Sequence, residues 1–399
     1  MKHLQFGAGN IGRSFIGQLF AQAGYEVVFV DVDEELIALL NQHRRYPVEI
    51  RDKVCETIWV EGVRAISGRD VERVAEEFAT ADTAATAVGA TALPHLYPAI
   101  AAGLEKRLRT NPTPINIIIC ENLRHAAAVV RDGLKQLLPA DFPLEEMVGL
   151  VETSIGKMVP IITEEQRRQN PLAVYAEAYN TLICDRRGFK GPLPPVPQLD
   201  PKDNMKAYVD RKLFIHNLGH AVTAYVGFVK NPTMKFIWEA VECPAVRQVA
   251  YGAMVESAAA LACEYPGEFT HASLREHIED LLSRFANKAL GDTIYRVGRD
   301  LPRKLAPDDR LIGALQLDLK HDIDPRNTIL GIAAAFHFRA TDEHGELFPA
   351  DAEFLRRVER DGVRAVLCEH CALDEQRKDH AEVIEQILAA FRVNAHQNS

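Results

Sequence analysis

Between Leu4 and Asp31 the chain reads LQFGAGNIGRSFIGQLFAQAGYEVVFVD, and this stretch restricts the fold more than any other. A short apolar run leads into Gly7, Gly9 and Gly12 at G-x-G-x-x-G spacing. Apolar residues at helical spacing follow (Phe15, Ile16, Leu19, Phe20), and a second apolar run, EVVFVD, ends in Asp31. Strand, glycine turn, helix and strand in that order form a βαβ unit, in which the glycines have separate tasks. Gly7 permits the tight turn, Gly9 lets the backbone approach a pyrophosphate, and Gly12 allows the helix to pack closely on the strand. The phosphates then sit at the positive end of the helix. Asn10 and Ile11 lie within the same turn and count with the glycines as cofactor contacts. Asp31, 19 residues after Gly12, is placed to accept hydrogen bonds from the adenosine ribose and to repel a 2′-phosphate. NAD is therefore predicted rather than NADP.

Further apolar runs continue the pattern: TAATAVG to Gly89, INIIICEN to Asn122, and MVGLVETSIGKMVP to Pro160. Ligands of open parallel sheets bind outside the carboxyl ends of the strands, which makes Val88, Gly89 and Asn122 candidates for the nicotinamide side of the cofactor. Prolines and glycines crowd into GFKGPLPPVPQLDP, residues 188–201, a composition that breaks regular structure and marks a connection. Beyond it, apolar positions recur three or four apart over about 206–229, 235–264, 273–286, 326–339, 351–368 and 375–393. The expected fold is an α/β, Rossmann-like NAD-binding domain with a mainly parallel sheet over 1–195, followed by a mainly α-helical substrate and catalytic domain over 196–399.

Hydrophobic residues make up 47% of the 399 and charged residues 26%, ordinary for a globular protein and opposed to disorder. A net charge of −10 argues against nucleic acid as a partner, since that grip needs a basic surface. No window approaches 18 uncharged apolar residues, so no membrane span is expected. MKHLQFGAGN enters the first strand without a secretion signal, and a cytoplasmic location is expected. Seven scattered cysteines fit reduced thiols in that compartment. Cys368, His370 and Cys371 in CEHC, with His380 downstream, resemble part of a zinc site. No second cysteine pair follows and helical periodicity runs through them, so no metal is predicted.

The catalytic reading comes from KLFIHNLGHAVTAYVG, which begins at Lys212 near the head of the helical half. Lys212, Asn217 and His220 interrupt an otherwise mostly apolar run. At roughly 100° per residue, Asn217 lies about 140° and His220 about 80° around a helix from Lys212, so the three can share one wall of a cleft. A lysine withdrawn from water has its charged form disfavoured, and its lowered pKa makes it usable as a proton acceptor. Asn217 can donate amide hydrogens to a developing alkoxide or carbonyl oxygen, while His220 can donate or accept at either ring nitrogen. Together they suit alcohol oxidation without a metal. A surface lysine, a cap-like asparagine and a satisfied core histidine would produce the same spacing.

Lys212-x4-Asn217-x2-His220, joined to FGAGNIGR, resembles the polyol-specific long-chain dehydrogenases. The similarity continues through TAVG, NIIICEN, FKGPLP, RKLFIHNLGHAVTAYVG, RVGRDLPRKLAPDDRLIGAL and GIAAAFHFR, nearly the whole chain. This resemblance implies an oxidoreductase of mannitol metabolism that acts on a CH–OH group with NAD and no zinc. Lys212 matches the family's general base, and Asn217 and His220 match the groups that hold and polarise the reacting oxygen. Within the family the likeness is strongest to members acting on hexitol phosphates, which implies interconversion of mannitol 1-phosphate and fructose 6-phosphate by a monomer or homodimer. One stretch departs. Where relatives carry D-S-x-V-D-R-I-V-P, residues 152–160 here are ETSIGKMVP, so an Asp-Arg pair has become Gly156-Lys157. Thr153 falls where some relatives place a polar residue that assists the oxyanion site.

A sugar-alcohol phosphate needs cations, and RVGRDLPRKLAPDDR supplies Arg296, Arg299, Arg303, Lys304 and Arg310. The planar fork of arginine suits phosphate, with Arg299 and Arg303 as the candidates. Pairing with Asp300, Asp308 and Asp309 in a solvated loop accounts for the same residues. His337 and Arg339 in AAAFHFR form a second candidate group, and a helix end is the plain alternative. Two other functions stay open. A hexuronate reductase of the same family would place a substrate carboxylate near the cations, and an NAD-binding regulatory protein without turnover would have no need of a base.

Overall fold

The computed structural model describes residues 1–52, 54–160 and 162–397, and the chain divides into two compact units at Met205/Lys206. In the first unit the strands are β1 (Lys2–Phe6), β2 (Glu26–Asp31), β3 (Arg45–Ile50), β4 (Glu56–Glu61), β5 (Val63–Ser67), β6 (Thr83–Thr86), β7 (Ile115–Ile119), β8 (Val148–Ser154), β9 (Val174–Ala176), β10 (Leu182–Asp185) and β11 (Leu199–Lys202). Eight of them form one sheet in the order β11-β10-β8-β7-β6-β1-β2-β5, parallel except where β8 meets β10. Side chains alternate across it. Leu4, Phe6, Val28, Val30, Ile117 and Ile119 enter the core on one face, while Val27, Phe29 and Ile118 enter the core on the other. Both faces being covered, the strands read as continuous apolar runs rather than alternating ones, which is why they are legible in the sequence.

The chain winds from β1 outward to β2 and β5, then returns to β6 on the other side of β1. That reversal makes the carboxyl ends of β1 and β6 the switch point, where ligands of doubly wound sheets bind. A second sheet, β4-β3-β9, was not foreseen from the sequence. Nor was β11: the end of the proline-rich stretch is not only a connection but pairs with β10, and the first unit runs past residue 195 to Met205.

The second unit is helical. One helix runs over 205–230 and is interrupted by a π turn at Lys212–Asn217. Others are Pro244–Glu264, His271–Phe285, Ile312–Lys320, Arg326–Ala335, Pro349–Glu369 and Lys378–Gln397. Gly219 lets the first of these approach Pro244–Glu264 closely, since a Cβ there would lie 2.3 Å from the Met254 sulfur. Gly331 does the same against Val222, at 2.6 Å. Among the described residues no helix is long and apolar enough to cross a membrane.

Candidate active site

At the switch point of the first unit, Gly7 adopts φ +91°, and a Cβ on it would fall 2.5 Å from the Ala87 carbonyl oxygen at the end of β6. A Cβ on Gly12 would fall 2.0 Å from the Gly7 oxygen, so neither position admits a side chain. Gly9 differs: nothing lies within 4 Å of its would-be Cβ. The helix over 10–22 starts immediately beyond, with Asn10 and Ile11 in its first turn and a π turn at Gly12–Gly17. Open space over a bare backbone at a helix N-terminus fits a dinucleotide pyrophosphate.

Asp31 staples this turn together. Its Oδ2 accepts from Ala8 N at 2.6 Å, and its Oδ1 accepts from Val32 N at 2.8 Å and Asp33 N at 3.1 Å. A carboxylate has about four acceptor sites, so capacity remains for ribose hydroxyls. Two supporting residues escaped the sequence reading. Buried Arg13 donates through Nε to Ala8 O (2.6 Å) and through Nη1 to Leu172 O (2.7 Å), tying the helix to the turn; burial lowers its pKa to about 10. Glu121 accepts from Val88 N (2.9 Å) and Gly89 N (2.8 Å), clamping the loop after β6 beside the loop after β7, where Asn122 is exposed. An acid immediately before Asn122 was the signal available for it.

Thr153 requires a correction. Its hydroxyl donates to Ile119 O at 2.8 Å, so its single proton is committed inside the sheet and is not offered to a substrate oxygen. Lys157 is likewise internal. It is buried, its Nζ donates to Asn180 Oδ1 at 2.9 Å and lies 5.2 Å from the Phe15 ring centroid, against the helix that follows the glycine turn.

In the second unit the π turn alters the geometry expected for Lys212, Asn217 and His220. Leu218 N bonds to Leu213 O, five residues back. An extra residue per turn brings residue 217 nearly over residue 212 instead of the roughly 140° away that a regular helix gives. Gly313 leaves room for the Phe214 ring of this turn, since a Cβ there would meet it at 2.8 Å. Withdrawal from water lowers the Lys212 pKa to about 8, and the neighbouring Arg310 guanidinium adds to the fall. His216, buried one turn on, is pushed well below its ordinary value by burial and by Arg284, His220 and Lys212. The His220 ring stacks on Phe285 with centroids 4.6 Å apart and 11° between planes. Its Nε2 lies 3.1 Å from Asp292 Oδ2.

The cations that follow fall into three kinds. Arg303 pairs with Asp300 and Asp309, and Arg310 Nε donates to Asp309 Oδ1 at 2.7 Å. Lys304 is buried and donates to Arg299 O; burial first, then Arg310 and Arg303, lower its pKa to about 7. Arg299 is exposed, with its guanidinium carbon 5.7 Å from the Tyr295 ring centroid and 5.4 Å from that of Phe348, and no carboxylate pairs with it among the described residues. Of the two arginines expected to grip a phosphate, Arg303 is thus already neutralised and Arg299 is not. His337 and Arg339 serve the fold: His337 Nε2 meets Phe391 O at 2.9 Å, and Arg339 Nη1 donates to Phe336 O and Phe338 O. The CEHC histidine is engaged too, with His370 Nε2 2.6 Å from Pro302 O, while His380 Nδ1 accepts from Asp374 N at 2.9 Å. Among the described residues no group of three or more His, Cys, Asp or Glu is arranged to hold a metal ion.

A family model for the mannitol dehydrogenase Rossmann domain matches residues 1–198, and one for the mannitol dehydrogenase C-terminal domain matches residues 204–393. Among solved structures the chain is similar to a Pseudomonas fluorescens mannitol 2-dehydrogenase in ternary complex with NAD and D-mannitol, with a TM-score of 0.76 and 16% identity over 98% of this chain and 91% of that one. It is also similar to a D-sorbitol dehydrogenase in substrate-free form, with a TM-score of 0.82 and 16% identity over 98% and 93% of the two chains. At this identity the likeness is one of fold.

Proposed function

The chain belongs to the mannitol dehydrogenase family, as an NAD-dependent dehydrogenase acting on the CH–OH group of a polyol, and from that membership we propose that its substrate is a hexitol phosphate, mannitol 1-phosphate, oxidised in the cytoplasm to fructose 6-phosphate with Lys212 as general base. The reading is supported by the π turn over Lys212–Asn217, whose five-residue hydrogen bond turns Asn217 toward the face of Lys212, and by the burial that, with Arg310, lowers the lysine to about 8. NAD, when bound, supplies the hydride acceptor. Gly7, Gly9, Asn10, Ile11 and Gly12 hold its pyrophosphate, Asp31 its adenosine ribose, and Val88, Gly89 and Asn122 its nicotinamide side. Neutral Lys212 Nζ takes the substrate's hydroxyl proton as the C–O bond becomes C=O, and Asn217 donates an amide hydrogen to that oxygen as its charge grows. Arg299, whose fork no acid among the described residues occupies, receives the phosphate.

A screen of kcat/KM with NAD over mannitol 1-phosphate, other hexitol phosphates and free polyols, and with NADH over fructuronate and tagaturonate, tests this directly. Mannitol 1-phosphate is expected to rank first. A higher value for a hexuronate would move the substrate assignment to the reductase reading, and no turnover with any member would leave the regulatory one.

Asp31 is expected to give NAD a higher kcat/KM than NADP, because its carboxylate would repel the extra phosphate. The Asp31→Ser variant narrows the gap while weakening both cofactors, since it also releases Ala8 N. A parent enzyme that prefers NADP overturns the assignment.

Arg299→Ala is expected to raise KM for the phosphorylated substrate by about 10- to 100-fold, the equivalent of a charge-assisted bond of about 1.5–3 kcal/mol, with KM for a free polyol nearly unchanged. Arg303→Ala, which breaks ion pairs with Asp300 and Asp309, is expected to affect both substrates alike and to lower Tm. Equal losses on both substrates in Arg299→Ala would make its role structural.

A further inference from the structure

We infer that Asp351 is a positioning residue: it holds the turn 298–301 in the shape from which Arg299 meets the anionic group of the substrate, and Tyr225 ties that turn to the helix that carries Lys212. The inference rests on the reading above, in which Arg299 receives the phosphate.

Arg299 lies where the backbone has to be held. The residue after it, Asp300, adopts φ +71° and ψ +52°, a left-handed conformation that residues with a side chain seldom take and that costs free energy unless the surroundings support it. The support comes from Asp351, buried in the first turn of helix Pro349–Glu369. Its Oδ2 accepts from Asp300 N at 3.0 Å and its Oδ1 from Leu301 N at 2.6 Å, so each oxygen takes one of two successive N–H groups. The carbonyls before them are held as well. Tyr225 donates its hydroxyl to Gly298 O at 2.8 Å, and Lys304 Nζ donates to Arg299 O. Tyr225 is buried on the same helix as Lys212, with its ring centroid 5.1 Å from that of Phe338, and a Cβ on Gly298 would fall 2.2 Å from that Phe338 ring.

The Arg299 side chain, by contrast, is exposed and steadied by the rings of Tyr295 and Phe348. Phe348 O accepts from Asp351 N at 2.9 Å, so one segment both clamps the backbone and supplies a ring beneath the guanidinium. A fixed backbone under a guanidinium that no carboxylate among the described residues occupies reduces the freedom lost when an anion binds.

The test is a double-mutant cycle in the full-length enzyme with mannitol 1-phosphate and NAD. Asp351→Asn is expected to raise KM on the order of 10-fold, with kcat within about twofold of the parent, because an amide has one acceptor oxygen and turns its NH2 against the other N–H. In the Arg299→Ala background the same substitution is expected to change KM by less than about twofold, since the turn no longer carries the fork. Losses that multiply across the two sites overturn the inference, as does a folded Asp351→Asn enzyme with parental KM. A carboxylate that served stability alone would give one or the other. Tyr225→Phe keeps the ring and removes only the bond to Gly298 O. It is expected to raise KM about 3- to 10-fold, again without effect in the Arg299→Ala background, and it decides the matter if Asp351→Asn does not fold. Parental KM in Tyr225→Phe also overturns the inference. Parental KM in Arg299→Ala would instead remove the phosphate assignment whatever the other variants do, so the two failures are distinguishable.

Discussion

Lys212→Ala is expected to keep its fold and its affinity for NADH and to lose roughly 10²–10⁴ in kcat, the usual contribution of a general base. The active form is the neutral amine. Because burial and Arg310 lower the lysine pKa to about 8, alcohol oxidation in the parent should rise with pH toward that value and level off above it. Lys212→Arg restores little, since a guanidinium stays protonated at any working pH. Arg310→Met removes the like charge and is expected to move the midpoint of the profile to higher pH, a shift that a purely structural arginine would not produce. The decisive comparison sets turnover against Tm in the same variants: a folded, NADH-binding Lys212→Ala enzyme that turns over at near the parent rate rules out the assignment.

The second large effect is on stability and lies away from the reaction. Asp318, on helix Ile312–Lys320, is fully buried, and neither of its carboxylate oxygens has a hydrogen-bond partner among the described residues. The nearby Glu256 is satisfied, accepting from Asn327 N and Thr328 N at the start of helix Arg326–Ala335 and from both of their side chains. Burial, with a smaller push from Glu256, raises the Asp318 pKa to about 9, so the folded protein carries it as the neutral acid. The folded state then binds a proton that the unfolded state releases above about pH 4. Its favourable contribution is complete below about pH 4 and is lost progressively as pH rises to about 9, by up to about 1.4 kcal/mol per pH unit. Asp318→Asn removes this dependence. Denaturant midpoints of parent and variant measured at pH 5 and pH 8 are expected to diverge, with the variant the more stable of the two at pH 8. Parallel pH profiles would mean that Asp318 is ionised in the folded protein.

What could be read from the sequence was whatever a few neighbouring residues encode. The glycine turn and Asp31 are local because a tight turn, a bare backbone and an acid at the next strand end are all specified within one βαβ unit. β1, β2, β6, β7 and β8 were visible as continuous apolar runs because a parallel sheet is buried on both faces. β9, β10 and β11 are only three or four residues long, β3 carries Pro47 and Glu49 among its buried apolar residues, and β4 buries only Val60. Lys212, Asn217 and His220 were legible as a spacing, but their arrangement was not. The π turn carries Phe214, whose ring takes the space that a Cβ on Gly313 would need, about a hundred residues away in the chain. The same distance hides every partner that decides what a polar group can do. Asp292 meets His220 across 72 residues of sequence, Ile119 takes the Thr153 proton from a neighbouring strand, and Asp300 and Asp309 neutralise Arg303 while Arg299 rests on two aromatic rings. Residue type and spacing determine which chemistry a chain can offer. Withdrawal from water and the charges packed beside a group set its protonation state and its free hydrogen-bonding sites, and these arise only when distant segments meet.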